Sequence, residues 1–183
     1  SDPSLAPLVR EEAAERPLEG YTLLAATDPQ TKERAYRLAH RAYCRCGHFS
    51  PGEAGGRYLL PHDQQPETLT LLVTNPSGDD VATATLVYDS PAGLPCEKIF
   101  KPELDGLRRN GRRLAEVARL ALDATRPPPR ALLVRLFNVL YIHARLVRNH
   151  TDLGVEVVPH HAGYYQRLLE FEHLGPPRKW HRG

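Results

Sequence analysis

The sequence predicts an α/β protein with a mixed sheet that is covered by helices on both faces. One observation is a pair of β-rich segments, 68–74 and 81–88, which flank a turn at 75–78 and should form an antiparallel hairpin. The other is the helical spacing of apolar residues in segments 29–46 and 129–149. Helices that alternate with strands are typical of a sheet packed between helical layers.

The N-terminal third predicts one strand, one helix and a long loop. An apolar run at 21–26 is consistent with a strand. Asp28, followed by a proline, offers a helix N-cap, so we expect a helix at 29–46 that ends at Gly47. Segment 48–66 is rich in Gly and Pro and has no period, which predicts a loop.

The remaining chain predicts further strands around two helices. Segment 90–111, with several Pro and Gly residues, predicts a long connection. Segment 114–122 fits a strand or a helix by its period alone. Segment 129–149 is apolar nearly all round, which predicts a buried helix. The predicted order is β-α-β-β-β-α-β-α-β, and it ends with a strand at 152–158, a helix at 162–169 and a strand at 171–174.

Length and composition predict one domain. The 183 residues are 41% hydrophobic, which is too apolar for a disordered chain. We expect a polar lead-in at 1–19 and a single domain at 20–183. Since the sequence shows no signal peptide, no apolar run suited to a membrane span and only three cysteines, a cytoplasmic location is expected.

Basic residues are concentrated in segment 101–150. This segment holds eleven Lys or Arg and four acids, a charge of +7, whereas the whole chain carries +2. Such a segment favours an anionic partner, with a scattered solvated face as the alternative. Because no aromatic residues interleave with the basic ones, no nucleic acid is expected, and an acidic protein or a phosphorylated ligand is left open.

Three stretches, 35–44, 116–119 (EVAR) and 155–172, together with Asp63, resemble the GNAT acyltransferase superfamily, within it the branch of N-acyl amino acid synthases and autoinducer-synthase-like enzymes. Segment 155–172 is similar to a strand-to-helix segment of that branch, and residues 116–119 (EVAR) resemble its E-(L/V)-(S/A)-R strand. Segment 35–44 resembles its first helix, and Asp63 resembles the acidic position before its second strand. Glu170 stands where the family usually has Gly.

This resemblance implies a GNAT-like mixed, mostly antiparallel central sheet in which 114–122 is a strand. It implies an N-acyltransferase that moves a fatty acyl group from an acyl thioester to the amine of an amino acid or similar small molecule by direct attack. Acyl carrier protein (ACP) is the expected partner and donor, with acyl-CoA as the alternative co-substrate. No permanently bound cofactor and no metal are expected, and peripheral contact with a membrane is left open.

Direct attack of an amine on a thioester requires a base and oxyanion donors rather than an enzyme nucleophile. Glu116 is the candidate base, and strand alternation predicts Arg119 on the opposite side of the sheet, where it would order loops or carboxylates. Asp63 would hold the acceptor's ammonium or fix an arginine. The resemblance implies that Tyr165 lies near the leaving sulfur, where it would protonate the thiolate. The alternatives are structural: an ion pair for Glu116, a solvated loop acid for Asp63, and helix-to-sheet packing for Tyr165.

The turn at 123–130 bears on the identity of the donor. It has no glycine, and three successive prolines remove amide donors, so a pyrophosphate cradle for CoA is hard to build there. ACP presents phosphopantetheine without the nucleotide, and its acidic surface suits the basic segment. The arginines predicted to bind the donor are Arg112, Arg113, Arg119, Arg126 and Arg130.

Three other interpretations are left open. A CoA-dependent GNAT N-acetyltransferase would bind CoA alone, and a non-catalytic GNAT module would bind an acyl carrier or lipid without turnover. Zinc binding at Cys44, Cys46 and His48 is the third, although the cysteine spacing is tighter than usual and no second ligand pair follows.

Overall fold

The structure, a computed structural model, describes residues 18–178, so nearly all of the predicted lead-in lies outside the described residues. The strands within this range are β1 (Thr22–Ala25), β2 (Leu69–Thr74), β3 (Asp80–Tyr88), β4 (Leu114–Leu122) and β5 (Asp152–Val155). The α-helices are α1 (Pro29–Arg45), α2 (Glu97–Arg109), α3 (Arg130–Ile142) and α4 (Pro159–Leu169). Two 3₁₀ turns, Glu53–Gly56 and Pro61–Gln64, lie in the predicted loop, and a π-helical turn, His143–Val147, follows α3.

The sheet is mixed and mostly antiparallel, as expected. Its order is β1-β2-β3-β4-β5, with antiparallel pairing from β1 to β4 and parallel pairing between β4 and β5. The predicted hairpin is β2–β3, and the Asn75 side chain builds its turn by accepting hydrogen bonds from the backbone N–H groups of Ser77 and Asp79. Segment 114–122 is a strand, in agreement with the family resemblance.

Strand β5 leaves β4 after four residue pairs. The pairs run from Leu114 with Asp152 to Val117 with Val155, while β4 continues to Leu122. The two strands therefore diverge beyond Val117. The gap beside them is surrounded by α2, α4 and the segment that follows α4.

Helices cover both faces of the sheet, as predicted. One face packs against α3 and α4 through a core that includes Leu136, Leu140 and Tyr165. The other face packs against α1 through Leu38 and against α2 through Leu104. Helix α1 begins as its sequence indicates, because the Asp28 side chain accepts a hydrogen bond of 2.9 Å from the backbone N–H of Thr31.

The connection predicted at 90–111 contains helix α2, which the sequence pattern did not indicate. Pro102 lies inside this helix, and the backbone leaves helical geometry just before it, at Phe100 (φ −115°, ψ 23°). Because the helix is kinked there, the missing N–H and the ring of the proline are accommodated. The buried Leu104 then fixes α2 against the sheet.

Three predictions in the C-terminal half are wrong. Helix α3 ends at Ile142 and buries a single stripe instead of all of its faces, so Tyr141 and Ile142 are exposed. Residues 171–174 do not form a strand, because the Phe171 ring packs edge-on against Phe137, with ring centroids 5.7 Å apart, and extends the core. Strand β5 is also shorter than predicted.

Glu170 lies at a backbone position that favours glycine. It caps the C-terminus of α4 in the left-handed conformation, with φ 56° and ψ 30°. Glycine adopts this conformation without steric cost, whereas a residue with a Cβ atom is strained there.

Candidate active site

A cavity of about 700 Å³ lies where β4 and β5 diverge. Most of its lining is apolar, and it comes from α2, α3, β4, β5 and the segment after β5, α4 and the chain that follows α4. Six of the lining residues are Cys96, Leu104, Glu116, Glu156, Tyr165 and Phe171. The structure therefore brings two of the predicted catalytic residues, Glu116 and Tyr165, to one cavity.

Glu116 is the most deeply buried acid of this cavity, with 2% of its surface exposed. Its Oε2 accepts a hydrogen bond of 2.9 Å from the backbone N–H of Cys96, at the start of α2. Its neighbour on β5 is Gly154, which has no side chain to fill the space beside the carboxylate. Desolvation raises the pKa of Glu116 to about 7, because the hydrogen bond from Cys96 stabilises the ionised form too little to compensate.

Cys96 lines the cavity beside Glu116, and it was not singled out from the sequence as an active-site residue. Burial, followed by the negative charge of Glu116, raises the pKa of the Cys96 thiol. The side chain therefore stays a neutral thiol, and a protonated thiol is a poor nucleophile.

Glu156 is a second carboxylate of the cavity that the sequence interpretation missed. It lies two residues beyond Gly154, the β5 neighbour of Glu116. Solvent reaches its side chain, while the surrounding cavity walls raise the pKa of Glu156 by desolvation. No salt bridge within residues 18–178 neutralises it. The signal available in the sequence was an acid inside the apolar run GVEVV.

Arg119 and Asp63 form a buried and fully paired cluster. Two guanidinium nitrogens of Arg119 each donate to a different carboxylate oxygen of Asp63 at 2.7 Å. Arg119 also donates to the carbonyl of Tyr58 at 2.8 Å and to the hydroxyl of Thr85 at 2.7 Å, and it stacks on the Tyr36 ring. Asp63 was expected either to hold the acceptor's ammonium or to fix an arginine. Its geometry fits the second role, because it holds Arg119, and a catalytic role for Asp63 stays a prediction.

The side of the sheet predicted for Arg119 is wrong. Thr83 pairs with Ala121 and Thr85 with Ala118, so β4 has an extra residue and bulges at this point. Arg119 adopts a positive φ of 51° in the bulge. Simple alternation fails across a bulge, and the Arg119 side chain turns to the face that also carries Thr85.

Tyr165 lies on α4, packed between the helix and the sheet. Its ring contacts those of Phe137, Tyr164 and Phe171 edge-on, with centroids 5.7 to 6.4 Å apart. Burial raises the pKa of Tyr165 to about 12, so its hydroxyl keeps its proton at neutral pH. Its packing role is observed, and its role as a proton donor stays a prediction.

The arginines predicted to bind the donor do not form one surface. Arg112 and Arg113 precede β4, whereas Arg126 and Arg130 follow it, so the nine-residue strand separates the two pairs. Arg112 pairs with Asp152, and Arg126 pairs with Asp123 and Asp79. Asp152 and Asp79, which lie outside segment 101–150, therefore neutralise part of its positive charge, and donor binding by these arginines stays a prediction.

Asp123 lies in the turn after β4, where a CoA-binding protein would need a phosphate cradle. Its carboxylate accepts hydrogen bonds from the backbone N–H and the hydroxyl of Thr125, and it pairs with Arg45 and Arg126. Burial alone would raise the pKa of Asp123, but these hydrogen bonds and ion pairs lower it. The turn thus holds an ionised carboxylate where a pyrophosphate would need free donors.

The cysteines of the zinc interpretation lie at the end of α1. Cys44 Sγ lies 3.5 Å from Nδ1 of His40, and Cys46 is exposed. Within the described part of the chain, no group of three or more His, Cys, Asp or Glu residues is arranged to hold a metal ion.

A mixed sheet whose parallel strands diverge around a cavity with a buried carboxylate is the arrangement that the resemblance to GNAT acyltransferases implies. Residues 34–182 match the sequence profile of the family described as FeeM, N-acyl amino acid synthase. Because the match spans more than half of the chain, the chain belongs to this family, and it is an N-acyltransferase. No curated protein matches the chain in sequence.

Solved structures show the same fold. FeeM, an N-acyl amino acid synthase from uncultured soil microbes, is 24% identical with a TM-score of 0.73, over 86% of this chain and 81% of that one. A predicted acetyltransferase with acetyl-CoA from Clostridium acetobutylicum is 11% identical with a TM-score of 0.58, over 88% and 94%. BjaI, a CoA-dependent acyl-homoserine lactone synthase with SAM and isopentyl-CoA, is 16% identical with a TM-score of 0.55, over 79% and 69%.

None of the helices within residues 18–178 is both long and apolar enough to cross a membrane.

Proposed function

We propose that the protein transfers a fatty acyl group from an ACP thioester to the amine of an amino acid or similar small molecule, by direct attack of the amine. The observation that supports this best is the buried Glu116 carboxylate, whose pKa is raised to about 7 at the wall of a mainly apolar cavity. A general base works best when its pKa lies close to the working pH.

Glu116 takes the proton that the amine must lose. The amine nitrogen attacks the thioester carbonyl carbon and forms the C–N bond, and one of its protons passes to Glu116. The C–S bond then breaks, and the sulfur leaves with a proton from Tyr165. Backbone N–H groups of β4 beyond Val117, where pairing with β5 has ended, would stabilise the developing oxyanion.

Glu156 binds the acceptor before it reacts. An amino acid arrives as an ammonium ion, and Glu156 is a solvent-accessible cavity carboxylate without a salt-bridge partner in the described range. Its negative charge also contributes to the raised pKa of Glu116. Two carboxylates with different environments thereby divide two tasks: Glu156 attracts the ammonium, which releases its first proton to solvent, and Glu116 takes the second proton as the neutral amine attacks.

Direct attack is favoured over a covalent acyl-enzyme because the cavity offers no activated nucleophile among the described residues. Cys96 is the cysteine that lines the cavity, and burial raises the pKa of its thiol. A thiol that serves as a nucleophile requires the opposite shift.

ACP is favoured as the donor because the turn after β4 is unsuited to a pyrophosphate. The backbone N–H of Thr125 already donates a hydrogen bond to the Asp123 carboxylate, and residues 127–129 are prolines without N–H groups. CoA is the second candidate, since two proteins of similar fold have structures with CoA thioesters, namely the Clostridium acetyltransferase and BjaI.

Mass spectrometry of reactions with mixed amino acids would test the proposal, with the same acyl chain offered on ACP or on CoA. We expect N-acyl products and a higher kcat/KM with acyl-ACP. Equal or better turnover with acyl-CoA would overturn the choice of donor. The absence of N-acyl product with every thioester would overturn the function.

A further inference from the structure

Four large apolar side chains are exposed together where α3 ends. They are Tyr141 (53% exposed), Ile142 (49%), Leu146 (74%) and Val147 (63%). With Arg145 and Arg148 they form what we call the π-turn patch. Leu59 is also exposed, but it lies in the connection between α1 and β2. Contiguous apolar exposure of this kind marks an interaction surface.

The π-helical turn produces this exposure. The N–H of Arg148 bonds the carbonyl of His143, five residues earlier, and the N–H of His150 bonds the carbonyl of Ala144. Ala144 is buried, and His143 is hydrogen-bonded to the Tyr88 hydroxyl, so the base of the turn is fixed to the core. All of residues 145–149 are exposed beyond this anchor.

The charge around the patch is predominantly positive. Residues 124–151 contain five arginines and no acid. Arg145 donates to the backbone carbonyl of His150, and Asp152 balances part of its charge, whereas Arg148 lies over the Tyr88 ring, a contact that leaves its charge unneutralised. Projecting aliphatic side chains, a tyrosine at their margin and flanking arginines match the interface of an anionic bilayer, where apolar groups insert and arginines meet phosphates.

The patch is also continuous with the cavity. Tyr141 belongs to both, and Phe137 and Asn138, one turn earlier on α3, line the cavity as well. A bilayer that meets the patch would therefore lie beside the cavity wall.

We infer that the π-turn patch docks the protein onto the surface of an anionic lipid bilayer. The binding does not depend on the proposed reaction, so it can be tested separately from it. An amphiphilic acylated product could pass from the cavity into the bilayer without crossing bulk water.

Co-sedimentation with vesicles tests the inference on the full chain. We expect binding to vesicles of phosphatidylcholine with 30% phosphatidylglycerol, about tenfold stronger than to phosphatidylcholine alone and weakened by 0.5 M salt. The double substitution L146S/V147S should lower the partition coefficient at least tenfold. The matched control, Leu59→Ser, removes an exposed leucine outside the patch and should leave it unchanged, with circular dichroism confirming the fold of each variant.

Four results would overturn the inference. In the first, the wild-type chain does not bind the vesicles, and in the second, L146S/V147S binds them as strongly as the wild-type chain. In the third, light scattering shows a wild-type dimer that L146S/V147S dissociates. In the fourth, the wild-type chain binds purified ACP and L146S/V147S does not. The third would assign the patch to a second copy of the chain, and the fourth would assign it to the carrier protein.

Discussion

Glu116 and Arg119 lie three residues apart on β4, and both are buried against the same face of the sheet, yet their surroundings differ. Arg119 is held by a bidentate pair with Asp63, by the Tyr58 carbonyl and by the Thr85 hydroxyl. Glu116 has a backbone hydrogen bond from Cys96, a cavity beside it and no cation among its described partners. A buried charge with a complete set of partners stabilises one structure, whereas a buried charge with too few partners is ready to take a proton.

The largest effect that this comparison predicts concerns catalysis at Glu116. The substitution Glu116→Gln keeps the shape and removes the base, so kcat/KM for N-acylation should fall roughly 10²–10⁴-fold. Steady-state kinetics with the preferred thioester measures this. The matched control is Glu67→Gln, an exposed glutamate before β2, which should retain wild-type activity. A Glu116→Gln enzyme with at least half of the wild-type kcat/KM would remove Glu116 from the mechanism.

The second effect concerns stability at the Arg119 cluster. Asp63→Asn leaves the buried guanidinium without its counter-charge, and breaking a buried pair in this way costs about 3–5 kcal/mol of unfolding free energy. Urea denaturation measures the loss. Asp152→Asn breaks the exposed pair with Arg112 and should cost less than about 1 kcal/mol. Equal losses for the two variants would show that the Arg119 cluster does not stabilise the fold as described.

The third effect is the pH dependence of stability. The folded-state pKa of Glu116, about 7, lies above its ordinary value of 4.5, so the folded state binds the proton more tightly than the unfolded state. The stability that this proton supplies is complete below pH 4.5 and is lost as the pH rises through 7, a loss of about 3 kcal/mol. Glu116→Gln should lack this loss in urea titrations between pH 4.5 and 8. The same pH slope in both proteins would contradict the raised pKa.

The smallest effect concerns the acceptor. Glu156→Gln removes the proposed partner of the ammonium, so KM for the amine should rise about tenfold with a smaller change in kcat. Loss of the neighbouring negative charge should also move the pKa of Glu116 downward, visible as a shift of the pH–rate profile to lower pH. An unchanged KM together with an unchanged profile would exclude Glu156 from the site.

The hairpin and helix α1 could be predicted from sequence, because the side chains of Asn75 and Asp28 form hydrogen bonds with backbone groups only a few residues away. The sequence did not predict helix α2, because a proline such as Pro102 is compatible with a loop and with a kinked helix alike. Glu116 and Asp63 could be chosen by resemblance, but the bulge that turns Arg119 to the other face depends on pairing with β3. The pairing of Arg126 with Asp79 joins residues far apart in the chain, so the charge count alone overstated the basic surface.

The pH dependence of kcat/KM for wild type and Glu116→Gln tests the central claim most directly. If Glu116 is the base, wild-type activity rises with pH through a pKa of about 7, and this limb is absent from the residual activity of the variant. A limb of the same pKa in both enzymes would assign the titration to another group and contradict the account.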